Sequence, residues 1–324
     1  MHTILVGDAV KKLGGFSAEQ FQCCVTSPPY YNQRDYGIRG QIGTESNVNK
    51  YLDNLYYVFD ELRRVLRDDG TCFINIGDVY INKALQGIPW KFADKMSRNG
   101  WTVRNEIIWW KRNAMTETVQ DRCGRDHEVV FLFTKTGQDY FYENYESTEK
   151  TKDERERPHR TVWDIPTQSF RGSHFATFPI ELAKRCIRLG TSAYGCCPKC
   201  EAPAKRVLLK TRIPTRPGNT TKTTGKTRKE KGNRDPQRHI TIVKKIGWES
   251  TCKHSLPGLW SVPKMNSVID PFCGSGTVGV ACRELNDPIG LYEFTGIELN
   301  PEYAKMADKR IKEHSRIPLR RKHG

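Results

Sequence analysis

The sequence predicts an open α/β fold: a mostly parallel sheet with helices on both faces, interrupted by a small cysteine-bearing insertion. Three observations predict it. Short β-rich runs alternate with amphipathic helical runs, a buried strand leads through a glycine-rich turn into a helix, and one basic stretch flanked by cysteines breaks the alternation. Strand candidates are residues 21–26, 71–76, 128–133, 267–270 and 292–298. The clearest helix covers 48–66, where Val48, Tyr51, Leu52, Leu55, Val58, Phe59, Leu62, Val65 and Leu66 recur at intervals of three and four, and Asp68-Asp69-Gly70 supplies a stop. A second helix covers 180–189 with Gly190 as its cap, and a third, 278–285, follows the glycine-rich turn. In open sheets of this kind ligands sit at the carboxyl ends of the strands. The loops that follow the strands are therefore where chemistry is expected.

Composition narrows the partners. With 324 residues, 37% of them apolar, the chain has material for one large domain or two modest ones. The formal charge is +16, and residues 205–245 alone carry 14 Lys+Arg against Glu230 and Asp235, a local +12. Such a charge calls for a polyanion, most often nucleic acid. That stretch is rich in Thr, Gly and Pro and has no sustained apolar period, so it reads as an irregular insertion. No run approaches the roughly 18 apolar residues of a membrane span, and Met1-His2-Thr3 leads straight into a strand. An intracellular protein is expected, cytoplasmic in a bacterium or archaeon or encoded by a phage. Its eleven cysteines then read as buried thiols or metal ligands rather than disulfides.

Two loops carry the chemical signal. After the first strand candidate comes Ser27-Pro28-Pro29-Tyr30, where two prolines fix φ and leave carbonyls available as acceptors, so the loop can grip an amino group. After the strand 267–270 comes Asp270-Pro271-Phe272-Cys273-Gly274-Ser275-Gly276-Thr277. Its glycines allow close backbone approach, and the helix start offers free N–H groups to an anion. Glu298 lies 22 residues beyond Gly276 at the end of the next strand, the place of an acidic residue that binds ribose hydroxyls. A nucleoside cofactor follows, and NAD satisfies this much as well as any other. In the insertion, Cys197 and Cys200 have the spacing of a zinc knuckle; Cys252 with His254 completes a Cys₃His set, with Cys196 as a substitute ligand.

These motifs, in this order, resemble the amino-group DNA methyltransferases that use S-adenosylmethionine, in the permuted group where the catalytic loop precedes the cofactor loop. Further matches are Gly7-Asp8, Asn75-Ile76-Gly77-Asp78, Asp121-Arg122, His127-Glu128, the run from His174 to Pro179, and Glu298-Leu299-Asn300-Pro301-Glu302-Tyr303. The resemblance covers nearly everything outside 195–256. It implies a Rossmann-like methyltransferase fold in which residues 1–194 hold the catalytic part and 257–324 the cofactor-binding part; the charge and cysteine spacing make 195–256, between them, a basic zinc-binding insertion. It also implies S-adenosylmethionine as cofactor and duplex DNA with a flipped target base as partner, with a second copy of the chain as a further candidate, while the cysteine spacing of the insertion adds a structural zinc.

A base amine is a poor nucleophile because its lone pair is delocalised into the ring, and acceptors in line with its N–H groups favour the pyramidal, reactive form. By resemblance, Ser27 and the Pro28 carbonyl are those acceptors, Pro29 stiffens the loop, and Tyr30 stacks on the flipped base. Asp270, Phe272, Gly274, Ser275, Gly276 and Thr277 contact the methionine end of the cofactor together with Phe175, Thr177 and Phe178; Glu298 takes the ribose, and Asp8 borders the adenine. A Ser at the head of the loop is associated in the family with cytosine N4, an Asp with adenine N6. Cytosine N4 is the reading taken, with adenine N6 the alternative. Base reading falls to residues 32–43, 113–126 or the insertion. Three rivals stand beside it: an RNA methyltransferase, a zinc-ribbon nucleic-acid binder without catalysis, and an NAD-linked oxidoreductase. The last leaves the charge and the Pro-Pro loop unexplained.

Overall fold

The computed structural model describes residues 1–144, 148–150, 156–158, 160–168, 178–214, 239–254, 262–286 and 290–314. The elements that build its body are β1 (His2–Val6), α1 (Ala9–Leu13), β2 (Phe21–Thr26), α2 (Val48–Val65), β3 (Leu66–Ile76), α3 (Ile88–Arg98), β4 (Thr102–Trp110), β5 (His127–Thr134), β6 (Val162–Asp164), α4 (Ile180–Gly190), β7 (Asn266–Asp270), α5 (Thr277–Leu285), β8 (Tyr292–Glu298) and α6 (Pro301–His314). The eight strands form one sheet in the order β1-β8-β7-β2-β3-β5-β4-β6. Every neighbouring pair is parallel except the two made by β5, which runs antiparallel to β3 and β4. The expected mostly parallel α/β sheet is the one observed.

Helices cover both faces, as the strand sequences require. All six residues of β2 and all five of β7 are buried, a pattern that only a strand covered on both sides shows. On one face α1, α2 and α3 pack with Leu13, Leu55, Phe59, Leu62, Phe92 and Met96 against Cys24, Ile74 and Phe131 of the sheet. On the other, α4, α5 and α6 pack with Leu182, Ile187, Val278, Val280 and Ile311 against Cys23, Phe73 and Val268. Cys23 and Cys24 thus point to opposite faces as core thiols, and burial pushes both well above the ordinary thiol range.

Two local expectations are corrected. Helix α2 ends at Val65, and Leu66 turns to extended geometry (ψ 142°), so residues 66–70 open β3 instead of forming a separate stop. Gly190 is the last residue of α4, not a cap beyond it. It is glycine because α4 crosses β2 and β3 there: a Cβ would overlap Thr71 Oγ1 and stand 2.7 Å from Cys23 Sγ.

The insertion is also more regular than its composition suggests. Residues Ala204–Pro214 and His239–Ser250 pair antiparallel over their full length, with a bulge at Val207/Leu208. The charge count obscured the β-forming residues Val207, Leu208, Ile213, Ile240, Ile242, Val243 and Trp248 interleaved among the cations. The base of this ribbon is docked on the body. Arg206 pairs with buried Glu143 at 3.3 Å and lies 4.2 Å from the centre of the Trp248 ring, which packs against Tyr194. Residues 215–238, with most of the basic side chains, lie outside the described residues.

At the carboxyl ends of the neighbouring strands β2 and β7, Thr26 Oγ1 donates a 2.6 Å hydrogen bond to Asp270 Oδ1, both side chains being buried. Burial pushes the Asp270 carboxyl up to about 7. The folded state therefore keeps a proton there between about pH 4 and 7 while the unfolded chain releases it, so this group makes stability fall as pH rises through that window.

Two outcomes follow from the packing and this titration. Gly190→Ala, which overfills the contact with Thr71 and Cys23, is expected to lower the unfolding free energy by about 1–3 kcal/mol in urea titrations. Asp270→Asn, compared with wild type at pH 4.5 and pH 7.5, is expected to remove a downward slope on the order of 2–4 kcal/mol. Equal slopes in the two proteins would mean that the carboxyl ionises normally.

Candidate active site and metal centre

Because α2 leaves β2 toward one face and α5 leaves β7 toward the other, the chain diverges at the carboxyl ends of these adjacent strands and a crevice opens between the two loops. It holds a cavity of about 860 Å³. Ser27, Pro28, Pro29 and Tyr30 line one wall; Phe272, Gly274, Ser275, Thr277 and Glu298 line the other, with Asp8 and Phe178 at its border. Phe175 and Thr177 lie outside the described residues. Asp270 and Gly276 are not in the lining. Asp270 lies beneath it, accepting the Phe272 N–H at 3.0 Å as well as the Thr26 hydroxyl. Gly276, at φ 79°, begins α5 where a Cβ would stand 3.0 Å from that of Ala307, so it lets α5 and α6 close on each other.

The wall formed by the Phe272–Thr277 turn is ordered around Glu298. One carboxylate oxygen accepts the Gly274 N–H and the other the Asn300 N–H, both at 2.8 Å, and burial raises the group above the usual carboxylate range. Gly274 has φ 52°, and the nearest atom to a Cβ built on it is 3.9 Å away, so its backbone faces open space. Arg310 of α6 braces the turn from behind, donating to the Ser275 carbonyl at 3.0 Å and to its hydroxyl at 2.8 Å. Asp8 caps α1 by accepting the Lys11 N–H at 3.0 Å.

On the opposite wall the Tyr51 hydroxyl donates to the carbonyl of Pro29, at 2.8 Å, and so fixes the loop from α2. The Tyr30 ring lies against Gly77, where a Cβ would be 2.6 Å from the ring edge; only glycine leaves room for it. Its hydroxyl donates to Glu128 Oε2 at 2.6 Å and receives the Ser27 hydroxyl at 3.3 Å. Asn75 Nδ2 donates to Tyr30 Oη and to Glu128 Oε2, each at 2.8 Å, while Lys111 forms an ion pair with Glu128 Oε1. Asn75, Lys111 and Glu128 all line the cavity and were missed as site residues. Asn75-Asp78 and His127-Glu128 had been noticed as matches, but nothing in a linear sequence shows that β3 and β5 run antiparallel and so bring Asn75 and Glu128 together. Asp78 is engaged elsewhere, accepting the N–H groups of Val79, Gly87 and Ile88.

Of the loops expected to read the base, 32–43 supplies Gln33, Arg34, Tyr36, Ile38 and Gln41 to the cavity, and Tyr36 meets Tyr303 of α6 edge to face at 6.0 Å. No residue of 113–126 lines it.

The structure brings Cys197, Cys200, Cys252 and His254 together, their ligand atoms all within 4.8 Å of one another. Three thiols and an imidazole at that separation fit a tetrahedral Zn²⁺, whose bonds of about 2.0–2.3 Å place ligand atoms roughly 3.5–4 Å apart. Cys196 points away into the core, its thiol 2.9 Å from Gln22 Oε1. The knuckle is fixed to the amino-terminal ends of the central strands. Cys196 exchanges backbone hydrogen bonds with Lys264 just before β7, and the Cys200 carbonyl accepts Arg67 from the start of β3. It therefore sits at the end of the sheet opposite the cavity. Among the described residues no helix is long and apolar enough to cross a membrane.

Comparison with known proteins bears on this geometry. The N6/N4 DNA methylase model matches residues 21–195 and 259–309, the two segments that carry the cavity walls. Type II methyltransferase M.SmaI of Serratia marcescens is 34% identical over 339 residues, covering 95% of this chain and 90% of that protein. Among solved structures, the cytosine-N4-specific PvuII DNA methyltransferase superposes with a TM-score of 0.60 at 14% identity, over 97% of this chain and 91% of that one. The complex of M1.HpyAVI with SAM gives a TM-score of 0.52 at 18% identity, over 96% and 99% of the two chains. With more than half of its length matched, and a relative of this identity matched almost end to end, the chain belongs to the N6/N4 DNA methylase family.

Proposed function

We infer that this protein transfers the methyl group of S-adenosylmethionine to the exocyclic N4 amine of a cytosine flipped out of duplex DNA. The observation that carries the reading is the single cavity onto which both the Ser27–Tyr30 loop and the Phe272–Thr277 turn open, held in register by Thr26 and Asp270. Bound there, S-adenosylmethionine supplies an electrophilic methyl on a sulfonium. The residues present fit that cofactor. Glu298 keeps lone pairs for ribose hydroxyls after accepting two backbone N–H groups. The open backbone at Gly274 and the amino terminus of α5 suit the methionine carboxylate, with Ser275, Thr277, Phe272 and Phe178 around it. Asp8 borders the adenine side, and Asp270 and Gly276 act by shaping the turn.

Ser27 and the Pro28 carbonyl are the acceptors for the amine, and Tyr30, whose ring lies against Gly77 and lines the cavity, stacks on the flipped base. The serine at the head of the loop favours cytosine N4, and the PvuII enzyme of similar fold is cytosine-N4-specific. The charge of +16 suits a DNA partner, with the ribbon from 195–256 as its arm along the phosphates and residues 32–43 beside the base. Cys197, Cys200, Cys252 and His254 hold a structural zinc that closes this insertion.

Incubation of duplex DNA with S-adenosylmethionine, followed by nucleoside mass spectrometry, is expected to yield N4-methylcytosine. Ser27→Ala should lower the yield by about 10²-fold with cofactor affinity retained. N6-methyladenine would keep the loops and cofactor while replacing the base, and no methylated base despite cofactor binding would overturn the reading. Metal analysis is expected to find one zinc per chain in the wild type and none in Cys200→Ser. Because the knuckle is bonded to the strands that carry the site, that loss should also lower the melting temperature of the whole protein.

A further inference from the structure

The polar floor beneath Ser27 contains more than amine recognition needs. Ser27 Oγ donates to Tyr30 Oη at 3.3 Å, Tyr30 donates to Glu128 Oε2 at 2.6 Å, and Lys111 is ion-paired to the other oxygen of Glu128. Asn75 donates to Ser27, Tyr30 and Glu128, and the Glu128 carboxylate oxygen can only accept, so the tyrosine hydroxyl gives its proton to Glu128. The donor sense is therefore fixed along the chain, from Ser27 to Tyr30 to Glu128. Ser27, having given its hydrogen to Tyr30, faces the cavity with a lone pair.

Resting on the amine-methylation reading, we propose that Ser27, Tyr30 and Glu128 form a proton path that takes the hydrogen released by the methylated amine, with Glu128 as its terminus. As the N–CH₃ bond forms, the S–CH₃ bond breaks and its electron pair stays on sulfur, giving a neutral thioether and a positively charged nitrogen. That nitrogen is strongly acidic, because losing a proton restores its lone pair to the ring. One N–H proton passes to Ser27 Oγ, the Ser27 proton to Tyr30 Oη, and the Tyr30 proton to Glu128 Oε2. Glu128 ends neutral, so the positive charge that began on sulfur is cancelled against its carboxylate, and Lys111 keeps its charge throughout. Lys111 contacts the carboxylate oxygen that Tyr30 does not. Its side chain and that of Glu128 are 20% and 17% exposed, which gives the proton an exit to solvent. Burial and the Glu128 charge push the Tyr30 phenol far above its ordinary range, as suits a group that relays a proton and is never left ionised. Ser27 touches the substrate and is catalytic; Tyr30 Oη and Glu128 act through it.

Single-turnover methylation tests this. Glu128→Gln keeps an acceptor for Tyr30 but cannot take the proton, and should slow methyl transfer by about 10²-fold with the DNA KM and cofactor affinity unchanged. Tyr30→Phe interrupts the same path, leaves the ion pair intact, and should cost a similar factor; it carries the test if the Glu128 variant does not fold. The double variant should be no slower than the worse single variant, because one path can be broken only once. A second readout needs neither cofactor nor DNA: with ¹³Cζ-labelled tyrosine, the Tyr30 hydroxyl proton should resonate far downfield and move upfield in Glu128→Gln. Glu128→Gln at the wild-type rate, multiplicative losses in the double variant, or an unmoved hydroxyl resonance would each overturn the proton path. A wild-type enzyme that methylates no amine in the same assay would instead overturn the proposed function.

Discussion

The site depends on the pairing of β2 with β7. These strands come from parts of the chain about 245 residues apart, yet their last residues, Thr26 and Asp270, share a buried 2.6 Å hydrogen bond. That contact sets the distance between the two functional loops, since each loop begins at the next residue. An aspartate buried this deeply carries a desolvation cost, visible in its raised carboxyl, which the Thr26 hydroxyl and the Phe272 N–H partly offset. The chemistry is placed at the end of two fully buried parallel strands, the part of such a fold least free to move.

The two walls are built differently. The wall formed by the Phe272–Thr277 turn is mostly backbone: Gly274, Asn300 and the start of α5 are oriented by one carboxylate, Glu298, and one bracing cation, Arg310. The opposite wall is mostly side chain, a network of Ser27, Tyr30, Asn75, Glu128 and Lys111 drawn from two strands and two loops. Backbone groups are held by the chain itself, whereas the side-chain network depends on which strands meet.

The opposite end of the sheet has a separate task. The cysteine and histidine cluster is bonded to the starts of β3 and β7, a strand length away from the reacting atoms, and the ribbon it closes is anchored by the buried pair of Arg206 and Glu143. A segment dominated by cations cannot bury enough apolar surface to order itself. Strand pairing, the Trp248–Tyr194 contact and the Arg206–Glu143 ion pair order the described part of this insertion in place of a full core.

By itself the sequence determined the alternating α/β order, the two loops and the ligand set. These are local: apolar periodicity marks α2, the Ser-Pro-Pro-Tyr string and the Gly-x-Gly turn sit within a few residues, and cysteine spacing marks the knuckle. Tertiary structure alone decided that Asp270 and Gly276 lie under the cavity wall and not in it, that Gly190 is a packing glycine inside a helix, and that Cys196 faces the core while Cys197 turns to the cluster. It also decided that Glu128, with Lys111, meets Tyr30, because β5 runs antiparallel between β3 and β4 and so joins parts of the chain some 50 to 100 positions apart. The physical reason is the same in each case. A residue's chemical type is written in the chain, but its partner is set by which strands pair, in which direction and in which register.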